Sequence, residues 1–136
     1  MTLVDTSVWI DFLNGKDLNH TQALRALMRD GEVAIGDLIA TEVMQGFRSE
    51  QEAKRGQRLL NLYPCFSLVG KQQAFQAASH YRALRTSGIT IRKTIDVLIA
   101  SFCVENQIPL LFADRDFRPF VQQLGLHAAV GSAISK

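Results

Sequence analysis

Cysteine is scarce in this 136-residue chain and never paired by spacing: Cys65 and Cys103 stand far apart in apolar surroundings, with no CxxC motif and no histidine cluster nearby. That excludes a zinc site built on sulfur and a disulfide framework, and it predicts two buried thiols in a reducing compartment. Proline is rare as well, at three residues, and no linker, low-complexity tract or internal repeat interrupts the sequence. One domain over residues 1–136 therefore accounts for it. No apolar run reaches the length of a membrane span, and the start "MTLVDTSVW" has an acid at its fifth position and no basic leader, so a soluble, cytoplasmic protein without a membrane partner is expected. An excess of one charge is also missing: 15 Lys+Arg face 13 Asp+Glu, a net +2. A field that weak does not announce a nucleic-acid partner, so the placement of individual charges must decide.

What the chain does have is enough apolar material for a full core, 47% of its residues, arranged in a repeating order. "TLV" before Asp5 is a short run of β-formers, and "TSVWIDFL" after it sets Val8, Trp9, Phe12 and Leu13 at helical spacing until Asn14-Gly15. "DLNHTQALRALMRDG" predicts a second helix stopped by Gly31, and "VAI" at 33–35 a second strand. Asp37 is a suitable N-cap for a helix through "LIATEVMQGF". "RSEQEAKRGQRLLNLY" reads as a surface helix and "CFSLV" as an edge strand. A long helix, "KQQAFQAASHYRALRTSG", leads to a further one that begins near Asp96 and runs to about Asn106. "LLFA" is the last strand, followed by Asp114 and a short helix with Phe117, Phe120 and Val121. Strands alternating with helices predict an α/β fold with a parallel sheet covered on both faces. The segment after Asp96, "VLIASFCV", is apolar nearly all round, so its helix is central or partly in an interface.

Functional sites of such sheets form beyond the carboxyl ends of the strands. Asp5 directly follows "TLV" and Asp114 directly follows "LLFA"; Glu42 lies near the start of the helix after the second strand, and Asp96 in the first turn of its own helix. All four acids can meet at one rim. Four carboxylates in a dry pocket raise one another's pKa, and a divalent cation relieves the conflict. An oxygen-only ligand set suits the hard ions Mg²⁺ and Mn²⁺, and Mg²⁺ completes its shell with water and substrate phosphate, which points to phosphate chemistry. Each acid taken singly also has a structural reading: Asp5 and Asp114 as helix caps, Asp96 as a favourable first-turn charge. Glu42 fits a purely structural role less well, at the border of a face made by Leu38, Ile39 and Val43.

"LVDTSVWIDFL", Glu42 within "ATEVMQGF", "TIDVLIAS" and "LLFADRDF" together resemble the PIN-domain ribonucleases, in particular the VapC-type toxins of VapBC toxin–antitoxin pairs. The resemblance covers essentially the whole chain, and the order and spacing of the four acids are its specific part. It implies a three-layer α/β/α fold with a short parallel sheet and a Mg²⁺- or Mn²⁺-dependent endoribonuclease acting on structured RNA, of the tRNA or rRNA class. It further implies a homodimer and a VapB-like antitoxin whose tail fills the acidic groove. Carried over position by position, Asp5 and Asp96 match the family's metal ligands, Glu42 its second acid and Asp114 its fourth. Asp116 in "ADRDF" competes with Asp114 for that last place. Thr6 or Ser7 matches the hydroxyl after the first acid, and N-capping of the first helix is an equal use for it. Phe112 stands where a threonine is frequent in the family.

RNA phosphates require cations beside an acidic site, and Arg92 and Lys93 precede Asp96 while Arg115 and Arg118 follow Asp114. Arg82 and Arg85, on the preceding helix, come second. For each of these a solvated surface charge is the competing reading. Trp9, Phe12, Phe47, Tyr81 and Phe102 sit among aliphatics at helical spacing and read as core or dimer interface. His20, His80 and His127 read as structural or solvated, and Asp11 as an exposed residue without a role. Two other enzyme patterns fit poorly: a haloacid-dehalogenase-like phosphatase wants an Asp where Ser7 stands, and a receiver domain wants a Lys after a later strand. An RNA-processing PIN nuclease without an antitoxin and a catalytically silent PIN-like RNA- or partner-binding module are the remaining alternatives.

Overall fold

The computed structural model describes residues 1–133. Its elements run β1 (Thr2–Val4), α1 (Thr6–Leu13), α2 (Asn19–Asp30), β2 (Val33–Gly36), α3 (Asp37–Gln45), α4 (Glu50–Leu60), β3 (Cys65–Phe66), α5 (Lys71–Thr86), α6 (Thr94–Asn106), β4 (Leu110–Leu111), a single 3-10 turn (Arg115–Phe117) and α7 (Arg118–Leu124). The four strands form one sheet in the order β3-β2-β1-β4, and every pairing is parallel: Leu3 lies opposite Ala34 on one side and Leu110 on the other, and Ile35 opposite Cys65. Every residue of β1, β2 and β4 is buried. Strands buried on both faces need helices above and below, which makes the fold the expected three-layer α/β/α arrangement.

On the helical side, α1 packs on α2 and α3, and α3 on α4, whereas α5 packs on α6 and α7. The burial of α6 matches its composition: Val97, Ile99, Ala100, Phe102 and Cys103, with Asp96 and Ser101, are all buried, so residues facing in several directions are covered. The core joins Trp9, Ile39, Ile99, Phe112, Phe117 and Phe120 to the inner strands. Trp9 and Phe102 are therefore core residues, with Phe12, Phe47 and Tyr81 packed partly buried against them. No helix among the described residues is long and apolar enough to cross a membrane.

Four expectations need correction. Cys103 is buried, but Cys65 is exposed, because it belongs to the two-residue edge strand rather than to the inner sheet. Asp37 is not the cap of α3; Gly36 is, and Asp37 is the first helical residue, where its Oδ1 accepts from the N–H groups of Leu38 at 2.8 Å and Leu68 at 3.0 Å. It thereby ties α3 to the chain leaving β3. Asp11 has a part after all: its Oδ2 pairs with His20 Nε2 at 2.7 Å and its Oδ1 with Lys16 Nζ at 3.5 Å, which pins α2 to α1. The last strand is shorter than "LLFA", and its outer edge is covered by a segment the sequence pattern did not signal. There Leu110 N–H donates to the His127 carbonyl and Ala129 N–H to the Leu110 carbonyl, each at 2.9 Å, and Ala133 N–H to the Phe112 carbonyl at 3.0 Å. Such a cover protects a sheet edge from pairing with another chain.

Candidate functional site

Asp5 is the first residue past β1, and its own N–H donates to the Leu111 carbonyl at 2.9 Å. The ladder thus carries Asp5 one step beyond the sheet, between β1 and β4. It is also the N-cap of α1, accepting from Ser7 N–H at 3.3 Å and from the Ser7 hydroxyl at 2.7 Å. The structural and the chemical reading of Asp5 coincide. Ser7 points one carboxylate oxygen and leaves the other for a ligand. Thr6, one residue earlier, gives its hydroxyl to Glu42 Oε1 at 2.6 Å, which orients Glu42 from α3 toward the same place.

Asp96 enters from the first turn of α6 and Asp114 from the end of the β4 segment, where it caps the 3-10 turn through a bond from Asp116 N–H at 2.9 Å. Asp5, Glu42, Asp96 and Asp114 line one cleft of roughly 300 Å³, with Thr6, Ser7, Lys93, Ile10 and Gln45. Asp116 stands against it: single carboxylate oxygens of Asp96, Asp114 and Asp116 all lie within 4.8 Å of one another. Asp114 and Asp116 are therefore neighbours rather than rivals, distinguished by their cations. Lys93 Nζ lies 3.9 Å from Asp114 Oδ2, and Arg92 donates to Asp116 Oδ2 at 3.2 Å.

The electrostatics follow from this crowding. Burial pushes Asp5 up to about 6, against the pull of the Ser7 hydroxyl and the Ser7 and Thr6 N–H groups, with the charge of Glu42 adding to the rise. Asp96 is pushed up to about 7, first by burial and then by the charge of Asp5, with Lys93 opposing and Asp114 and Glu42 reinforcing. Asp96 is 5% exposed, and its Oδ2 is a buried atom without a hydrogen-bond partner among the described residues. A buried carboxylate oxygen left bare costs free energy unless it is protonated or meets a cation. Lys93 does not supply a contact to it. A divalent ion fits the donor set, which consists of oxygens alone, and it fits the bare atom.

Of the basic residues named from the sequence, the structure brings Lys93 into the cleft and Arg92 to its edge. Arg115 is exposed beside Asp114 and Asp116. Arg118 is held elsewhere, its Nε donating to the Ala133 carbonyl at 2.7 Å. Arg82 and Arg85 are exposed on α5 and do not line the cleft; Arg85 lies over the Tyr81 ring. His80 bridges α5 and α6, with Nδ1 2.8 Å from Ser101 Oγ and Nε2 3.1 Å from Glu105, and takes no part in the cleft. Sequence reading passed over Ile10 and Gln45. Their signal was spacing, since each follows a cleft residue, Thr6 or Glu42, by about one helical turn.

With four acids brought to the carboxyl edge of a parallel sheet, the class is that of an acidic-site α/β protein. The PIN domain family model matches residues 2–120, and the chain belongs to that family. It is similar to VapC ribonuclease Mb1587 of Mycobacterium bovis and to Ribonuclease VapC11 of Mycobacterium tuberculosis, in each case 28% identical over 131 residues that span 95% of this chain and 98% of the relative. Among solved structures, the fold matches VapBC2 from Rickettsia felis bound to a DNA fragment from their promoter, at TM-score 0.74 and 16% identity over 94% of this chain and 96% of the other. A toxin-antitoxin complex from Klebsiella pneumoniae matches at TM-score 0.70 and 21% identity, over 93% of this chain and 95% of its counterpart.

Proposed function

We propose that the chain is a VapC-type endoribonuclease, the toxin of a VapBC pair, that hydrolyses a phosphodiester of a tRNA or rRNA with the help of Mg²⁺ or Mn²⁺. The observation that carries the metal-dependent reading is the bare, buried Oδ2 of Asp96 among carboxylates whose crowding a bound cation would relieve. The likeness to VapC ribonucleases over nearly the whole chain supports the substrate class at the level of RNA.

Asp5, Asp96 and Asp114 would hold the ion, with Glu42 and Asp116 as further oxygens reaching it directly or through water. When bound, the cation supplies Lewis-acid polarisation of a phosphoryl oxygen and a water acidified enough to attack near neutral pH. The chain's own groups do the positioning. Ser7 and Thr6 fix Asp5 and Glu42, so the oxygens are aimed before substrate arrives. Lys93 and Arg92 stand at the cleft as cations for the phosphates on either side of the cut, and Arg115 extends that set. A VapB-like antitoxin competing for this cleft, with an arginine against the carboxylates, suits the site because a guanidinium makes paired hydrogen bonds to them. A homodimer completes the reading and is checked by the mass in solution.

The test is incubation of the purified protein with total RNA, with Mn²⁺ or with chelator, beside Asp96→Asn. Cleavage that needs the metal and is abolished in the variant supports the mechanism. Equal cleavage by Asp96→Asn, or cleavage in chelator, refutes it. Co-purification of wild type with a small upstream-encoded protein that suppresses cleavage supports the toxin role over an RNA-processing nuclease without a partner.

A further inference from the structure

The wall of the cleft formed by α1 and α3 carries two residues besides the acids and the hydroxyls that hold them. Ile10 stands one turn beyond Thr6 on α1, and Gln45 stands one turn beyond Glu42 on α3, where the helix ends. Both line the same cleft as the four carboxylates. A helix advances about 5 Å per turn, so these two side chains lie within reach of the nucleotide whose phosphate is seated at the acids.

Their chemistry differs from that of the floor. Ile10 is 40% exposed, an apolar surface in a cleft otherwise lined by carboxylates, two hydroxyls, an amide and a lysine. An isolated exposed isoleucine needs no explanation by itself, but here it faces the site together with a neutral amide. Thr6 and Ser7, the other neutral polar groups of the cleft, are engaged with Glu42 and Asp5. Gln45 is exposed, and its amide presents two donors and an acceptor. A donor–acceptor pair reads the edge of a base, while an aliphatic surface covers its face. The Gln45 amide could donate to a phosphate oxygen, but Ile10 beside it has nothing to offer one, whereas a base out of a duplex stack presents both an edge and a face.

We propose that Ile10 and Gln45 form a base-reading lip: the base of an unpaired nucleotide beside the scissile phosphate lies against Ile10 and exchanges hydrogen bonds with the Gln45 amide, setting nucleotide preference at the cut. The proposal rests on the nuclease reading above and adds to it the residues that choose the base.

The experiment is digestion of a random-sequence single-stranded RNA pool with Mn²⁺, followed by sequencing of the new ends, for wild type, Gln45→Ala, Gln45→Glu, Ile10→Ala and Asp96→Asn. Wild type is expected to show a base preference at one position flanking the cut. Gln45→Ala flattens that preference by roughly tenfold, in keeping with loss of a paired base contact. Gln45→Glu shifts the preference rather than abolishing it, because a carboxylate only accepts. Ile10→Ala raises KM more than it lowers kcat. An unchanged profile in all three lip variants, with Asp96→Asn inactive, overturns the lip and leaves the nuclease reading standing. An unchanged profile accompanied by weakened antitoxin binding also overturns it, and reassigns the lip to the protein partner. Cleavage by Asp96→Asn equal to wild type, or no cleavage by wild type, overturns the nuclease reading and the lip together.

Discussion

The Thr6 hydroxyl donates to Glu42 Oε1 at 2.6 Å, a bond that joins the first turn of α1 to α3 across 36 positions of sequence. Glu42 therefore owes its aim to the residue next to Asp5, and two of the four acids are set by adjacent hydroxyls on one helix. Thr6→Val keeps the shape and deletes the donor. Mn²⁺ affinity measured by calorimetry is expected to fall about tenfold, as for other partners that orient metal ligands. The folded fraction in urea stays close to wild type.

The raised acids set a pH dependence whose sign can be worked out. Asp5 and Asp96 move from an ordinary value of 3.8 to about 6 and about 7 in the fold. The folded chain thus binds more protons than the unfolded one between about 4 and 7, and the contribution of this pair to stability declines as pH rises through that window. Asp96→Asn removes the largest part of the decline. In chelator, Tm of the variant minus Tm of wild type should grow from pH 4 to pH 7 and level off above it. Stabilisation of wild type by Mn²⁺ should grow over the same range, because ligands must lose protons to bind.

Gly36 closes β2 where the chain turns into α3. A Cβ there would meet the side chain of Leu68, with Cγ only 2.7 Å away, and Leu68 is fully buried and cannot move aside. Gly36→Ala is expected to destabilise the protein by about 1–3 kcal/mol, the usual cost of overpacking. The midpoint of urea unfolding measures it.

Ser101 is buried on α6 and bonded to His80 Nδ1 on α5 at 2.8 Å. Ser101→Ala removes that bond between the two helices. A loss of about 0.5–1.5 kcal/mol follows from one deleted hydrogen bond, read in the same urea titration. Cleavage by the folded variant persists, since this pair lies outside the cleft.

Arg92 has a side chain 77% exposed and a partner in Asp116 at 3.2 Å. Arg92→Ala should weaken RNA binding alike for all sequences and reduce the slope of log K against log salt by about 1, the signature of one lost phosphate contact. A change confined to particular sequences would count against that role.

The convergence of the acids and the alternation of strand and helix were legible because both depend on local pattern: an apolar run, then an acid, then helical spacing. The first turn of α6 was legible for the same reason, since Asp96 heads a run with no polar face to hide it. Pairings across long stretches of chain were not. Asp11 with His20 and Asp37 with Leu68 use side chains whose partners no periodicity announces. The strip at 127–133 is bound to the β4 segment mostly through backbone groups, which every residue carries, with only the Ser132 hydroxyl added, so its sequence gives little sign of it. Cys65 was misplaced because apolar neighbours such as Phe66 suggested burial even within an edge strand, while that strand is only two residues long and leaves the thiol exposed at the margin of the sheet.

The bare oxygen of Asp96 also bears on how such a chain ages under selection. On the proposed mechanism an amide at this position would forfeit the chemistry and relieve the fold of a charge held at a cost, so inactivating substitutions here would leave a protein at least as durable as its ancestor. Quality control that clears unstable chains has no hold on them. Wherever the active form is harmful to its host, the easiest escape is a well-folded, silent descendant that still occupies its partner.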